Sequence, residues 1–170
     1  ISGFRYDYTN QDVRELSPKL GWVWQGLKQH HFRLSYGTAF RAPNEYEQKS
    51  NLYLGVRAPE SELIETLEGS WQAQLDDGWA LGATLYRSSI RNLIAAQSQQ
   101  AVVVQFANDP KVKAHGIEAT LVKKWQQGAQ LQVSASVQRA HDANQQRLTN
   151  APERLFKADF SQPLWRNDVQ

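Results

Sequence analysis

Ala129-Gln130-Leu131-Gln132-Val133-Ser134-Ala135-Ser136-Val137-Gln138 is the stretch on which the fold is decided. Every second residue is apolar and every residue between is polar. Successive side chains of an extended strand point to opposite faces, so this is one strand with an apolar face and a polar face. Just upstream, Gln126-Gln127-Gly128 turns the chain. The strand before it sets Ile117, Ala119, Leu121 and Trp125 against Gly116, Glu118, Thr120 and Lys124. Lys123 breaks the apolar parity, but it sits beside Trp125 near the strand end, where a lysine stem can lie along apolar surface with its ammonium wet.

The same alternation spreads in both directions. Towards the N-terminus, Leu67, Gly69, Trp71, Ala73 and Leu75 interleave with Glu68, Ser70, Gln72 and Gln74. Asp76-Asp77-Gly78 then gives a hairpin signal, and Trp79, Leu81, Ala83 and Leu85 begin the return strand. The parity slips at residues 88–90, which predicts a bulge. Earlier strands place Phe4, Tyr6 and Tyr8, then Leu20, Trp22 and Trp24, then Phe32, Leu34 and Tyr36 on single faces. A last strand spans residues 155–164, with Phe156, Ala158 and Phe160 together, before a final turn at residues 165–168. Two longer excursions interrupt the series. Residues 41–62 hold two prolines and no sustained period; residues 92–110 hold a Gln-rich stretch and an apolar run, 102–104, expected to extend a strand. No helix of useful length is predicted. The expected fold is all-β, an antiparallel up-and-down meander of about eight strands, as one domain over residues 1–170.

Composition narrows the function. With 19 Lys plus Arg against 17 Asp plus Glu, the net charge of +2 is too weak to argue for nucleic acid. The absence of cysteine removes disulfide frameworks and thiolate chemistry. No apolar run is long enough for a transmembrane helix. Barrel strands, however, turn only alternate residues to lipid, so a negative mean hydropathy is compatible with a membrane barrel.

Two features separate such a barrel from a soluble sandwich. Connections near Gly26, Asp77, Gln127 and Asn167 are short, and those near Gln11, Asn51, Gln99 and Asn144 are longer, an alternation expected of outer-membrane barrels. Trp24, Trp79, Trp125 and Trp165 all flank short connections, so a meander gathers them at one rim, where indoles suit a membrane interface. Their alternative role is to close one end of an ordinary hydrophobic core.

One further stretch carries a resemblance. Leu34-Ser35-Tyr36-Gly37 is followed by Phe40-Arg41-Ala42-Pro43-Asn44, where Pro43 lacks an N–H and ends the ladder. With Ser17-Pro18-Lys19-Leu20-Gly21 before it, and Glu65-Thr66-Leu67-Glu68-Gly69 and residues 111–118 after it, this segment resembles the barrel portion of TonB-dependent outer-membrane receptors. The resemblance runs over essentially the whole chain. It implies part of a wide wall of ~22 strands, without the N-terminal plug and the final strands. It further implies a receptor in the outer membrane of a Gram-negative bacterium, surrounded by outer-membrane lipid and energised by TonB through the missing N-terminal region. Its ligand would be a scarce nutrient, with a ferric siderophore as leading class and cobalamin or haem as others. No enzyme activity and no cofactor are expected. A passive porin-like barrel and a soluble all-β binding module are the rival readings.

Candidate site residues follow from residue chemistry. Arg41, Tyr46, Tyr53 and Arg57 share the first excursion; guanidinium favours anionic groups, and tyrosine offers a flat face with a hydroxyl. The competing role for Arg41, and for the segment Phe40, Arg41, Ala42, Pro43 and Asn44, is architectural, with Arg41 tying loops to Glu45 or Glu47. No metal cluster is expected: His30 and His31 point to opposite faces, and His115 and His141 lie far away in sequence.

Overall fold

The computed structural model describes residues 1–8, 14–97, 103–148 and 151–163. Eight antiparallel strands form one sheet whose spatial order is the order of the chain. They are β1 (Ser2–Tyr8), β2 (Arg14–Leu27), β3 (His30–Arg41), β4 (Glu62–Gln74), β5 (Trp79–Ala96), β6 (Phe106–Lys124), β7 (Gln130–His141) and β8 (Arg154–Ser161). The sheet is unclosed, with β1 and β8 at its edges. The all-β meander read from the alternation is the observed architecture.

Register joins the apolar faces strand to strand. Trp22 pairs with Leu34, and Trp24 with Phe32, which in turn faces Trp71. Further along, Leu85, Ile117 and Val137 are consecutive partners, as are Ala83, Ala119 and Ala135. A one-residue slip in any pair would move a whole strand's apolar set to the other face, so the pattern itself specifies this register.

Among the described residues nothing is packed on that apolar face. Among the described hydrophobic residues only Ala73, Val112 and Ala140 are buried, while Phe4, Trp22, Leu85, Phe156 and Phe160 are all more than half exposed. A soluble sandwich seals such side chains between two layers. Here there is one layer.

Short and long connections segregate to opposite ends of the sheet. At the short end, Asp77 and Gly78 have φ of 56° and 73°, both left-handed, inside the tight turn that joins β4 to β5. Trp24 packs against Phe32 with ring centroids 5.3 Å apart, and Trp125 meets Phe160 edge-on at 6.3 Å. The Lys123 ammonium lies 4.7 Å from the centre of the Trp79 ring and donates to the Asp77 carbonyl. Its stem follows the apolar surface while its charge is satisfied at the turn, as its place near the strand end suggested. Trp165 and the turn expected at residues 165–168 lie outside the described residues.

Three expectations are corrected. First, the excursion at 41–62 contains a helix, α1 (Glu45–Tyr53). Its residues show almost no amphipathic period, so periodicity is blind to it; the signal is the capping pair Asn44 and Glu47. Second, no bulge occurs at residues 88–90: Ser88, Ser89 and Ile90 pair in unbroken register with both neighbouring strands. The irregularity lies instead between Trp24 and Leu27. There a Cβ on Gly26 would stand 2.5 Å from the Trp24 ring, so a side chain at this position would force the ring to move. Third, of the run 102–104 expected to extend a strand, Val103 and Val104 are not in one, and Val102 lies outside the described residues. The outward extension is made by the upper parts of β5 and β6, where Leu93 pairs with Asp109 and Ala96 with Phe106.

Candidate functional site

At the long-loop end the geometry starts from Arg41, the last residue of β3, paired in register with Glu62, the first of β4. Arg41 Nε and Nη2 each donate to one Glu62 carboxylate oxygen at 2.8 Å, a bidentate pair. Its Nη1 and Nη2 also reach Glu47 at 3.2 Å. The two carboxylates are nearly buried, at 9% and 7% exposure, while Arg41 remains 41% exposed. Hydrogen bonding from Arg41 holds the Glu62 carboxyl below its usual range, against the opposing push of burial. The same bonds, chiefly with Glu62, push the Arg41 guanidinium further towards the charged form.

This node fixes where α1 starts. Pro43 ends the ladder, Asn44 Oδ1 accepts from Glu47 N at 2.9 Å, and Glu47 Oε2 accepts from Asn44 N at 2.7 Å. Two helix-terminal donors are thereby satisfied reciprocally. Glu47 therefore caps the helix and pins it to Arg41. Glu62 extends the node to β5 by accepting from Ile94 N at 2.9 Å. Glu45, the other carboxylate considered for Arg41, pairs with Lys49 one turn along.

The far end of α1 is tied to β6. Asn51, wholly buried, donates to the carbonyls of Arg57 at 2.8 Å and Phe106 at 2.7 Å, and accepts from Phe106 N at 2.8 Å. Ser50 Oγ donates to the Val104 carbonyl. Asn108 accepts from Glu60 N at 2.8 Å and donates to the carbonyls of Glu60 and Asn92 at 2.9 and 2.7 Å. The first excursion is thus latched against the second by backbone-directed polar contacts.

The four candidate ligand contacts divide. Arg41 is directed at its two carboxylates. Tyr46, 62% exposed, meets the Phe106 ring edge-on at 5.7 Å, and Tyr53 is 80% exposed at the end of α1. Arg57 is exposed in the segment that follows and takes part in no ion pair among the described residues. The latch presents two phenol rings and a guanidinium outward from a fixed base. Asn51 and Glu62, which build that base together with Asn108, were not singled out by sequence reasoning. Only the Asn44–Glu47 spacing offered a signal. His30 is a ring partner of Trp71, whose Nε1 donates to His30 Nδ1 at 3.1 Å.

The family model described as TonB dependent receptor-like, beta-barrel, matches residues 1–169. The chain belongs to that family. As a TonB-dependent receptor barrel it also resembles solved structures. The FrpB iron transporter from Neisseria meningitidis is 19% identical with a TM-score of 0.67, covering 92% of this chain and 25% of that one. The siderophore receptor PirA from Pseudomonas aeruginosa is 23% identical with a TM-score of 0.71, covering 83% and 28%. The ferripyoverdine receptor of the outer membrane of Pseudomonas aeruginosa is 16% identical with a TM-score of 0.70, covering 91% and 22%. At these identities the likeness is one of fold, and the chain spans about a quarter of the length of those proteins. No curated protein sequence matches it.

Proposed function

We propose that this chain is part of the wall of an outer-membrane receptor that captures a scarce nutrient, a ferric siderophore foremost, for import energised by TonB. The observation that carries the reading is the two-faced sheet: one face exposes Trp22, Leu85, Phe156 and Phe160 to the surroundings, and the short turns at 28–29, 75–78 and 125–129 lie at one end. Such a face suits lipid, while the other, with Arg33, Glu68, Gln72, Gln132 and Ser134, suits a polar lumen. Trp24, Trp79 and Trp125 then stand at the periplasmic interface.

Ligand meets the opposite end. Tyr46, Tyr53 and Arg57 are the proposed contacts, with phenol faces packing on the chelator and guanidinium pairing with its anionic groups. Arg41 acts on them through the latch. The test is uptake of radiolabelled ferric siderophores by cells carrying the complete receptor, with and without TonB. Saturable uptake that disappears without TonB supports the proposal. Unsaturable uptake independent of TonB overturns it in favour of a passive pore.

A further inference from the structure

The lipid-facing parity changes character abruptly on three adjacent strands. Trp79, Lys123 and Leu131 are register partners at the short-turn end, and eight residues farther out along each strand come Arg87, His115 and Arg139, again register partners. At ~3.4 Å per residue and a tilt of ~40°, that is about 21 Å along the barrel axis. The apolar band of such a barrel is ~25 Å tall, so with Trp79 and Lys123 at one interface this row sits at the other.

More basic groups continue outward on the same parity: Lys113 pairs with His141, and Lys111 with Arg91. Strand pairing thus brings His141 diagonally beside His115, although the two are distant in sequence. Of the neighbouring carboxylates, Glu65 is engaged by Arg91 at 2.7 Å, and Asp142 Oδ1 accepts from Asn144 N and Gln146 N. Arg87, Lys111, Lys113 and Arg139 make no ion pair among the described residues. Adjacent strands are ~4.8 Å apart, so Arg87 and Arg139 flank a site ~10 Å wide, within reach of one phosphate group. Bordered by the row and running over Gly69 is an apolar groove of about 670 Å³, lined by Leu34, Leu85, Ile117 and Val137 inward of the row and by Leu67, the register partner of Arg87, at its level.

We propose that Arg87, His115 and Arg139, supported by Lys113, dock the phosphorylated head group of an anionic membrane lipid whose acyl chain lies in the groove over Gly69. Charge complementarity selects the head group, and the groove directly beneath it selects a lipid over a soluble anion. The proposal rests on the membrane reading above, since only a sheet set in a bilayer brings this row to the level of lipid phosphates.

The test uses the complete receptor in phosphatidylcholine nanodiscs, titrated at low salt with fluorescent phosphatidic acid. Each basic charge near a membrane surface contributes a factor of about five in affinity, so R87Q/K113Q/R139Q should weaken binding about a hundredfold. R87K/R139K keeps the charge and should stay within about tenfold of wild type, and Lys124→Gln, on the lumen parity, should bind as wild type. Unchanged affinity in the triple variant, or equally strong competition by glycerol phosphate, overturns the site. A receptor that never enters the nanodisc overturns both this site and the membrane reading; one that enters and shows no preference for phosphatidic acid overturns only the site.

Discussion

Replacing Arg41 by glutamine tests the latch most directly. A nine-residue helix is marginal by itself, and α1 has little apolar stripe with which to hold the sheet, so its position depends on polar ties. Removing the guanidinium leaves two carboxylates, Glu47 at 9% and Glu62 at 7% exposure, facing each other without a cation. Breaking a fully buried pair costs ~3–5 kcal/mol; because Arg41 is 41% exposed and water relieves part of the imbalance, about 2–3 kcal/mol is expected here. Spent on local opening, that accelerates amide hydrogen exchange in residues 42–61 of the complete receptor by about 30- to 150-fold. Exchange in β6 and β7 below the loops should stay as it was. R41Q/E62Q should recover part of the loss, because a neutral amide removes one uncompensated charge. If exchange in residues 42–61 of R41Q stays within about twofold of wild type, the ion-pair node does not hold the helix and the reasoning fails.

Acid should open the same latch. The Glu62 carboxyl is held below its usual range, so its contribution is fully present above the unfolded value of ~4.3 and is lost as pH falls from there through the lower folded value; protection factors in residues 42–61, corrected for the intrinsic pH dependence of amide exchange, should be flat above ~4.3 and fall below it. Asn51→Ala removes three hydrogen bonds and leaves the Phe106 N–H and carbonyl without them, for an expected loss of about 2–4 kcal/mol of local stability, seen as faster exchange around Phe106. Ala119→Arg puts a charge on the apolar parity and should lower folding stability in bilayers by ~2–4 kcal/mol in urea titrations, whereas Thr120→Arg on the opposite parity should cost under ~1 kcal/mol. Gly78→Ala strains a residue at φ 73° and drives a Cβ into the Lys124 carbonyl, so about 1–3 kcal/mol of stability should be lost in the same titration.

The strands and their faces were legible because alternation is a local signal repeated many times, and one slipped register would expose its error on the neighbouring strand. Pro43, the Asp77-Gly78 turn and Lys123 were legible for the same reason: each has one chemical requirement and meets it within a few residues. The latch was not. Asn51 meets Phe106 across 55 positions in sequence, and nothing in its neighbours marks it as buried. Helix α1 fell between the two cases. Its N-cap was written in Asn44 and Glu47, but a helix held by hydrogen bonds at both ends needs no apolar period to declare its length.

The parity slip after Leu85 carries a more general lesson. A lapse in alternation has two physical causes, an inserted residue that rotates the strand or a change in the medium that the same face meets. An inserted residue is a private event of one strand and shifts its pairing with the next. A change of medium acts on neighbouring strands together and leaves pairing intact. Here Leu85 gives way to Arg87, Ile117 to His115 and Val137 to Arg139 on three partnered strands, and each register continues unbroken past the change. On the proposed membrane reading the break in pattern marks the outer edge of the apolar band on these three strands, and the count from the turns already places it: Arg87, His115 and Arg139 lie equally far from Trp79, Lys123 and Leu131.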